Sequence, residues 1–133
     1  MKKNSRTPDV LSASEIVLPI AEVADYLHQP VSRVRDLINK GQLIAIDRDH
    51  QRQIPARFFN GLNDEGRPEP GERVTINKHV PGLIALMSDG GYSNDEILNY
   101  LFTDDETLPG RPIDALHGHL AREVMRRAQA MGF

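Results

Sequence analysis

The stretch Ile20-Ala21-Glu22-Val23-Ala24-Asp25-Tyr26-Leu27-His28-Gln29-Pro30-Val31-Ser32-Arg33-Val34-Arg35-Asp36-Leu37-Ile38-Asn39-Lys40-Gly41 decides the reading of the fold. Ile20, Val23, Ala24 and Leu27 fall at i, i+3, i+4 and i+7, one face of a short helix, with Glu22 and Asp25 opposite. His28-Gln29-Pro30 ends it, because proline disfavours helical backbone at the residue before it. Ser32 reads as the N-cap of a second helix running to Lys40. Val34, Leu37 and Ile38 are its apolar positions, and Val31 staples it from just outside the cap. Gly41 suits the left-handed position that follows a helix, and Lys40 sits favourably at the negative end of the helix dipole.

Working outward, Leu43-Ile44-Ala45-Ile46-Asp47-Arg48 is a short β-like run. Asp49-His50-Gln51 turns it and Arg52-Gln53-Ile54 returns. Pro55 stops pairing, and Ala56 to Phe59 supply aromatic bulk to plug a core. Helix, tight turn, helix, glycine, hairpin is the outline of a winged helix-turn-helix. In that unit the second helix lies in the DNA major groove. Burying Val34, Leu37 and Ile38 leaves Ser32, Arg33, Arg35, Asp36, Asn39 and Lys40 outward, side chains of the kind that hydrogen-bond base edges and phosphates. Arg35 and Asn39 project together at i, i+4, and Ser32 and Asp36 form a parallel row. A hairpin tip carrying Arg48, His50, Gln51 and Arg52 suits a wing on the DNA backbone or in a minor groove. These residues imply duplex DNA as the partner.

The rest of the chain divides by composition. Residues 1–14 are polar without a period and read as a flexible arm, residues 15–60 as the winged domain. Residues 61–79 read as a linker or loop, introduced by the Gly-, Pro- and charge-rich stretch 60–73. Residues 80–133 read as three helices. The first has Pro81 in its first turn and Leu83, Ile84, Leu86 and Met87 on a broad apolar face. The second opens on a Ser93/Glu96 capping box with Ile97, Leu98, Leu101 and Phe102 inside. The last begins at Pro112 and carries the stripe Ile113, Leu116, Leu120, Val124, Ala128, Met131. The expected fold class is therefore mainly α: a winged helix-turn-helix with a short hairpin wing, then a three-helix unit. At about 50 residues that unit is marginal alone and should dock on the first half, dimerise or bind another protein. No coiled-coil heptad enforces dimerisation, so the oligomeric state stays open.

Composition agrees with a globular chain: of 133 residues, 39% are hydrophobic and 26% charged. The apolar runs are far short of the roughly 20 residues a membrane span needs. The basic start is followed by no apolar segment of a signal peptide, so a cytoplasmic location is expected. There is no cysteine, which excludes disulfides, thiolate metal sites and cysteine nucleophiles. Net charge is −3, unevenly spread. Residues 1–60 hold nine Lys/Arg against seven Asp/Glu, a net +2; the remainder hold seven against twelve, a net −5. Any polyanion contact thus belongs to the first half.

The segments Pro19–Leu27, Val31–Ile38 and Gly41-Gln42-Leu43, with Ile54-Pro55 after the hairpin, resemble the excisionase/MerR-type helix-turn-helix. The chain departs from that pattern at the turn, where His28-Gln29-Pro30 replaces a small or glycine residue. Pro81-Gly82-Leu83, Asp89-Gly90-Gly91-Tyr92, Glu96-Ile97, Leu101-Phe102-Thr103 and residues 111–117 resemble an actinobacterial family of small DNA-binding regulators. The resemblance implies a winged helix-turn-helix before a helical C-terminal domain, sequence-dependent DNA binding and transcription regulation. The competing class is a protein-interaction module, antitoxin-like or an adaptor, acting through the C-terminal helices.

Other signals carry less. His117 and His119 at i, i+2 lie on different helix faces and do not make a metal pair, and Asp104-Asp105-Glu106 lacks the spaced oxygens of a calcium loop. With no nucleophile elbow or phosphate loop, neither an enzyme nor a cofactor is expected. Arg122 to Arg127 reads as a solvated basic helix end. Ser5 and Thr7 lie beside Lys2, Lys3 and Arg6. A phosphate on Thr7 would add a charge of roughly −1.5 to −2 and oppose an arm–DNA contact, with a kinase as partner.

Overall fold

The computed structural model describes residues 7–131. β1 (Val17–Pro19) runs directly into α1 (Ile20–Leu27), whose Val23 and Ala24 are buried. His28 ends α1 in the left-handed region at φ 57°, its N–H donating to Asp25 O and that of Gln29 to Ala24 O. That is the Schellman arrangement usually made by glycine, here made by a histidine. α2 (Val31–Asn39) starts one residue before the expected cap. Pro30 is its N-cap, and the Ser32 side chain caps nothing: the proline holds the extended backbone a cap requires, and its carbonyl accepts from Arg33 and Val34. Gly41 ends α2 at φ 76°, with Gln42 N–H on Leu37 O at 2.9 Å.

β2 (Ile46–Arg48) and β3 (Gln51–Pro55) form the wing, with Asp47 opposite Arg52. Asp49 and His50 both have positive φ (54° and 64°), which makes a two-residue type I′ turn matching the strand twist. β3 lies in the middle of a three-stranded antiparallel sheet, because β1 pairs on its other side with Leu18 opposite Ile54. The outer edge of β2 is covered in turn by Thr7, bridged to Ile46, with Asp47 N–H donating to Thr7 O at 3.0 Å.

Residues 7–14, expected as part of a flexible arm, are therefore strapped to the wing. Asp9 clamps Arg48, and Ser12 O accepts from the same guanidinium. Residues 61–79, expected as a linker or loop, form largely a loop that is tied to the fold on both sides. After a 3₁₀ turn at Ala56–Phe58, β4 (Phe59–Asn60) pairs with β5 (Thr75–Ile76), and the loop between them folds back on the first half. Gly66 sits at φ +80° so close to Ile16 that an added Cβ would lie 2.6 Å from its side chain. Buried Asn77 donates to Leu116 O at 3.1 Å, joining this segment to the C-terminal unit.

That unit has four helices where three were expected: α3 (Val80–Asp89), α4 (Asn94–Leu101), α5 (Pro112–Ala115) and α6 (Ala121–Met131). The Ser93/Glu96 capping box opens α4 with both of its hydrogen bonds. The expected last helix breaks at 116–120, around Gly118, a residue that weakens a helix interior. With six α-helices and two small antiparallel sheets among the described residues, the fold is mixed α and β rather than mainly α.

One hydrophobic core runs through the chain, from Leu18, Val34 and Ile54 by way of Phe58 to Leu83, Leu98 and Val124. Phe58 is fully buried and meets Phe102 with ring centroids 6.1 Å apart. An ion network closes the joint beside it. Asp114 pairs with Arg57 and Arg111 at 2.9 Å each, Arg111 also pairs with Glu15, and its guanidinium lies 5.3 Å over the Phe102 ring. Burial opposes charge on Asp114, but the two arginines outweigh it and hold its carboxyl below the usual range.

Candidate nucleic-acid interface

Helix α2 needs Val34 and Leu37 in the core, and this requirement turns its other face to solvent. Ser32, Arg33, Arg35, Asn39 and Lys40 are exposed and Asp36 is half-exposed. Asp36 bridges Arg33 at 3.3 Å and Lys40 at 3.1 Å. Such solvent-exposed pairs contribute only about 0.3–0.5 kcal/mol, so an incoming phosphate can take either cation at little cost. Arg35 has no ion-pair partner among the described residues and stands one turn from Asn39. The face thus offers cations and a side-chain amide together, which is what base edges and phosphates require of a helix.

The wing residues divide. His50 and Gln51 are exposed at the tip, and Arg52 is half-buried on β3 opposite Asp47. Arg48 is turned inward. Its Nε and one Nη donate to the two carboxylate oxygens of Asp9, and the guanidinium also donates to Glu15 O at 2.8 Å and Ser12 O at 3.0 Å. The fork keeps the Asp9 carboxyl below its ordinary range, and Asp9 in turn raises Arg48. Arg48 therefore holds the 7–15 strap instead of pointing outward. No hydrogen bond or ion pair joins the wing tip to α2 among the described residues.

Thr7 is 7% exposed, and its hydroxyl oxygen lies 3.3 Å from the Asn94 amide that donates to it. Lys2, Lys3, Ser5 and Arg6 lie outside the described residues. His117 is half-buried and its Nε2 donates to Arg57 O at 2.7 Å; burial pushes its pKa down.

Two cations escaped the sequence reading. Arg73 and Lys78 flank β5, and with Arg33, Gln29, Gln42 and Thr75 they line a groove of about 770 Å³ beside the start of α2. A signal for them exists in the sequence. Val74-Thr75-Ile76 alternates buried, exposed, half-buried, as a strand does, but it is short and follows a Gly/Pro-rich stretch.

Two helices joined by a tight turn, with a hairpin after them and a single core shared with a C-terminal helical unit, define a winged helix-turn-helix protein. The comparisons with known proteins narrow that class. Residues 6–59 match the family described as "DNA-binding protein Rv2175c, wHTH domain", and residues 77–132 the "Rv2175c C-terminal domain of unknown function". The chain is 37% identical over 137 residues to the DNA-binding protein Rv2175c of Mycobacterium tuberculosis (strain ATCC 25618 / H37Rv), covering 94% of this chain and 86% of that one. The NMR structure of Rv2175c superposes with a TM-score of 0.78 at 36% identity, covering 97% of this chain and 89% of that chain. The chain belongs to the Rv2175c family.

Proposed function

We propose that this protein binds duplex DNA, with α2 in the major groove and the tip His50-Gln51 against the flanking backbone. It acts there as a transcriptional regulator of the excisionase/MerR-like kind. The observation that carries the reading is the outward face of α2: exposed Arg33, Arg35, Asn39 and Lys40 on the second helix of a helix-turn-helix. The description of the family as DNA-binding proteins supports the same reading. Ser32 and Asp36 complete the face, and Arg52 lies on the same hairpin as the tip. The work is done in the cytoplasm, where duplex DNA is met.

The interaction-module alternative finds little support. The apolar stripes of α3, α4 and α6 are used in the chain's own core, and among the described residues Val10 is the one exposed large hydrophobic.

Fluorescence anisotropy with random duplex DNA at several salt concentrations tests the proposal. The wild type should bind, and its affinity should fall with salt. Arg33→Ala/Arg35→Ala should lose about tenfold or more at 0.1 M salt, with a shallower salt slope. A wild type that fails to bind at low salt would end this reading.

A further inference from the structure

We propose that the groove between the start of α2 and β5 is a second seat for the DNA backbone, in which Arg73 and Lys78 hold phosphodiesters flanking the bases that α2 addresses. This inference rests on the DNA-binding reading of α2 and adds to it a contact outside the helix-turn-helix and wing.

Three observations carry it. The first is charge. Arg33, Arg73 and Lys78 line the groove and no carboxylate does, in a chain whose net charge is −3. The concavity at Glu15, Asp64 and Asp114 and the one at Glu96, Asp104, Asp105 and Glu106 both carry acids in their walls. The second is availability. Arg73 and Lys78 are exposed and have no ion-pair partner among the described residues, and Arg33 is held only by its solvent-exposed pair with Asp36.

The third is rigidity. Lys78 follows Asn77, which is 4% exposed and bound on several sides. Its amide donates to Leu116 O and Asn60 Oδ1, its Oδ1 accepts from His79 N–H, and its own N–H donates to Phe58 O. Arg73 is fixed from the other side, since its carbonyl lies against Gly61 so closely that an added Cβ would be 2.5 Å away. With the backbone beneath these cations already rigid beside a recognition helix, only side-chain freedom remains to be lost on meeting the phosphates of a duplex. Gln29, Gln42 and Thr75 add neutral hydrogen-bonding groups of the kind used on phosphate oxygens.

The test compares full-length wild type, Arg73→Ala/Lys78→Ala and Arg35→Ala by anisotropy on one duplex across a salt series. Each phosphate contact contributes about 0.9 to the slope of log K against log salt. The groove variant should therefore lose up to about 1.8 from the slope and about tenfold in affinity at 0.1 M salt. Its melting temperature should be unchanged, because both side chains are exposed. If the groove variant keeps the wild-type affinity and slope while Arg35→Ala is weakened, the groove is not a DNA seat and the α2 reading stands. If the wild type shows no salt-dependent binding, both readings fall. A groove that takes only free anions would show amide shifts at residues 73–78 with inorganic phosphate alone and no change in the DNA slope, which also overturns the inference.

Discussion

Arg48 separates a side chain that faces a ligand from one that holds the fold. Placed on the wing, it looks like a DNA contact; in the structure it makes four hydrogen bonds to Asp9, Ser12 and Glu15. Arg48→Ala removes all four and leaves a carboxylate and two carbonyls without that donor. Fully buried, hydrogen bonds to a charged group are worth about 1.5–3 kcal/mol each, and a fully exposed ion pair about 0–1 kcal/mol. The side chains of Arg48 and Asp9 are 15% and 24% exposed, between those limits. The expected net loss is therefore about 2 kcal/mol, or roughly 8 °C in melting temperature for a chain of this length. Circular dichroism melts measure it. A double-mutant cycle with Asp9→Asn should return a coupling of about 1 kcal/mol. DNA affinity, measured well below both melting temperatures, should stay within about twofold of wild type. An Arg48→Ala protein that melts like wild type but binds DNA weakly, with a salt slope reduced by about 0.9, would refute the reasoning.

Four further outcomes are expected. Asp36→Asn, which frees Arg33 and Lys40 from their shared partner, should tighten binding to random duplex DNA severalfold in the same anisotropy assay. Gly61→Ala should cost about 2–4 kcal/mol in urea unfolding, since it combines φ +87° with a 2.5 Å approach to a backbone oxygen; Gly71→Ala, at φ +79° in open space, should cost only about 1 kcal/mol. Burial lowers the pKa of His117, so the folded state resists its protonation. The stability this gives is complete above the unfolded value of about 6.5 and is lost as pH falls from there through the folded pKa, and His117→Gln should flatten urea midpoints measured between pH 7.5 and 5.5. A fragment ending at Phe59 should show no cooperative melt, because Phe58 and Phe59 are buried against residues it lacks.

What could be read from the sequence was local. The spacing of Ile20, Val23, Ala24 and Leu27, the proline after them and Gly41 are signals completed within a few residues, and α1 and α2 follow them closely. The capping box of α4 is legible for the same reason. The strands were harder. β1 has three residues and one is proline, so it carries no period; it exists because β3 offers it a second edge to pair with. β4 and β5 have two residues each and meet across fourteen intervening positions rich in glycine and proline. A loop and a folded-back ribbon have the same composition. The burial of Val74 and Asn77, the β4–β5 pairing and the seat of Gly66 against Ile16 distinguish them, and all three depend on distant residues.

The same distinction governs the site. Asp36 finds Arg33 and Lys40 three and four residues away, so that pairing follows from helical geometry alone. Arg48 finds Asp9 across 39 positions, and nothing in the wing's own sequence marks it as different from Arg35. A basic residue's role is thus legible when its competitor for charge lies within one helical turn and hidden when the fold delivers that competitor from elsewhere. Arg73 and Lys78 are the reverse case: they lie in a net acidic half of the chain, yet folding of the 61–79 segment carries them into one groove with Arg33, a groove with no carboxylate in its lining. Because one core holds α2, β5 and the C-terminal helices together, the backbone positions that carry these cations are set before any partner arrives. Charge summed over halves of the chain therefore understates the positive surface that the folded protein can present to DNA.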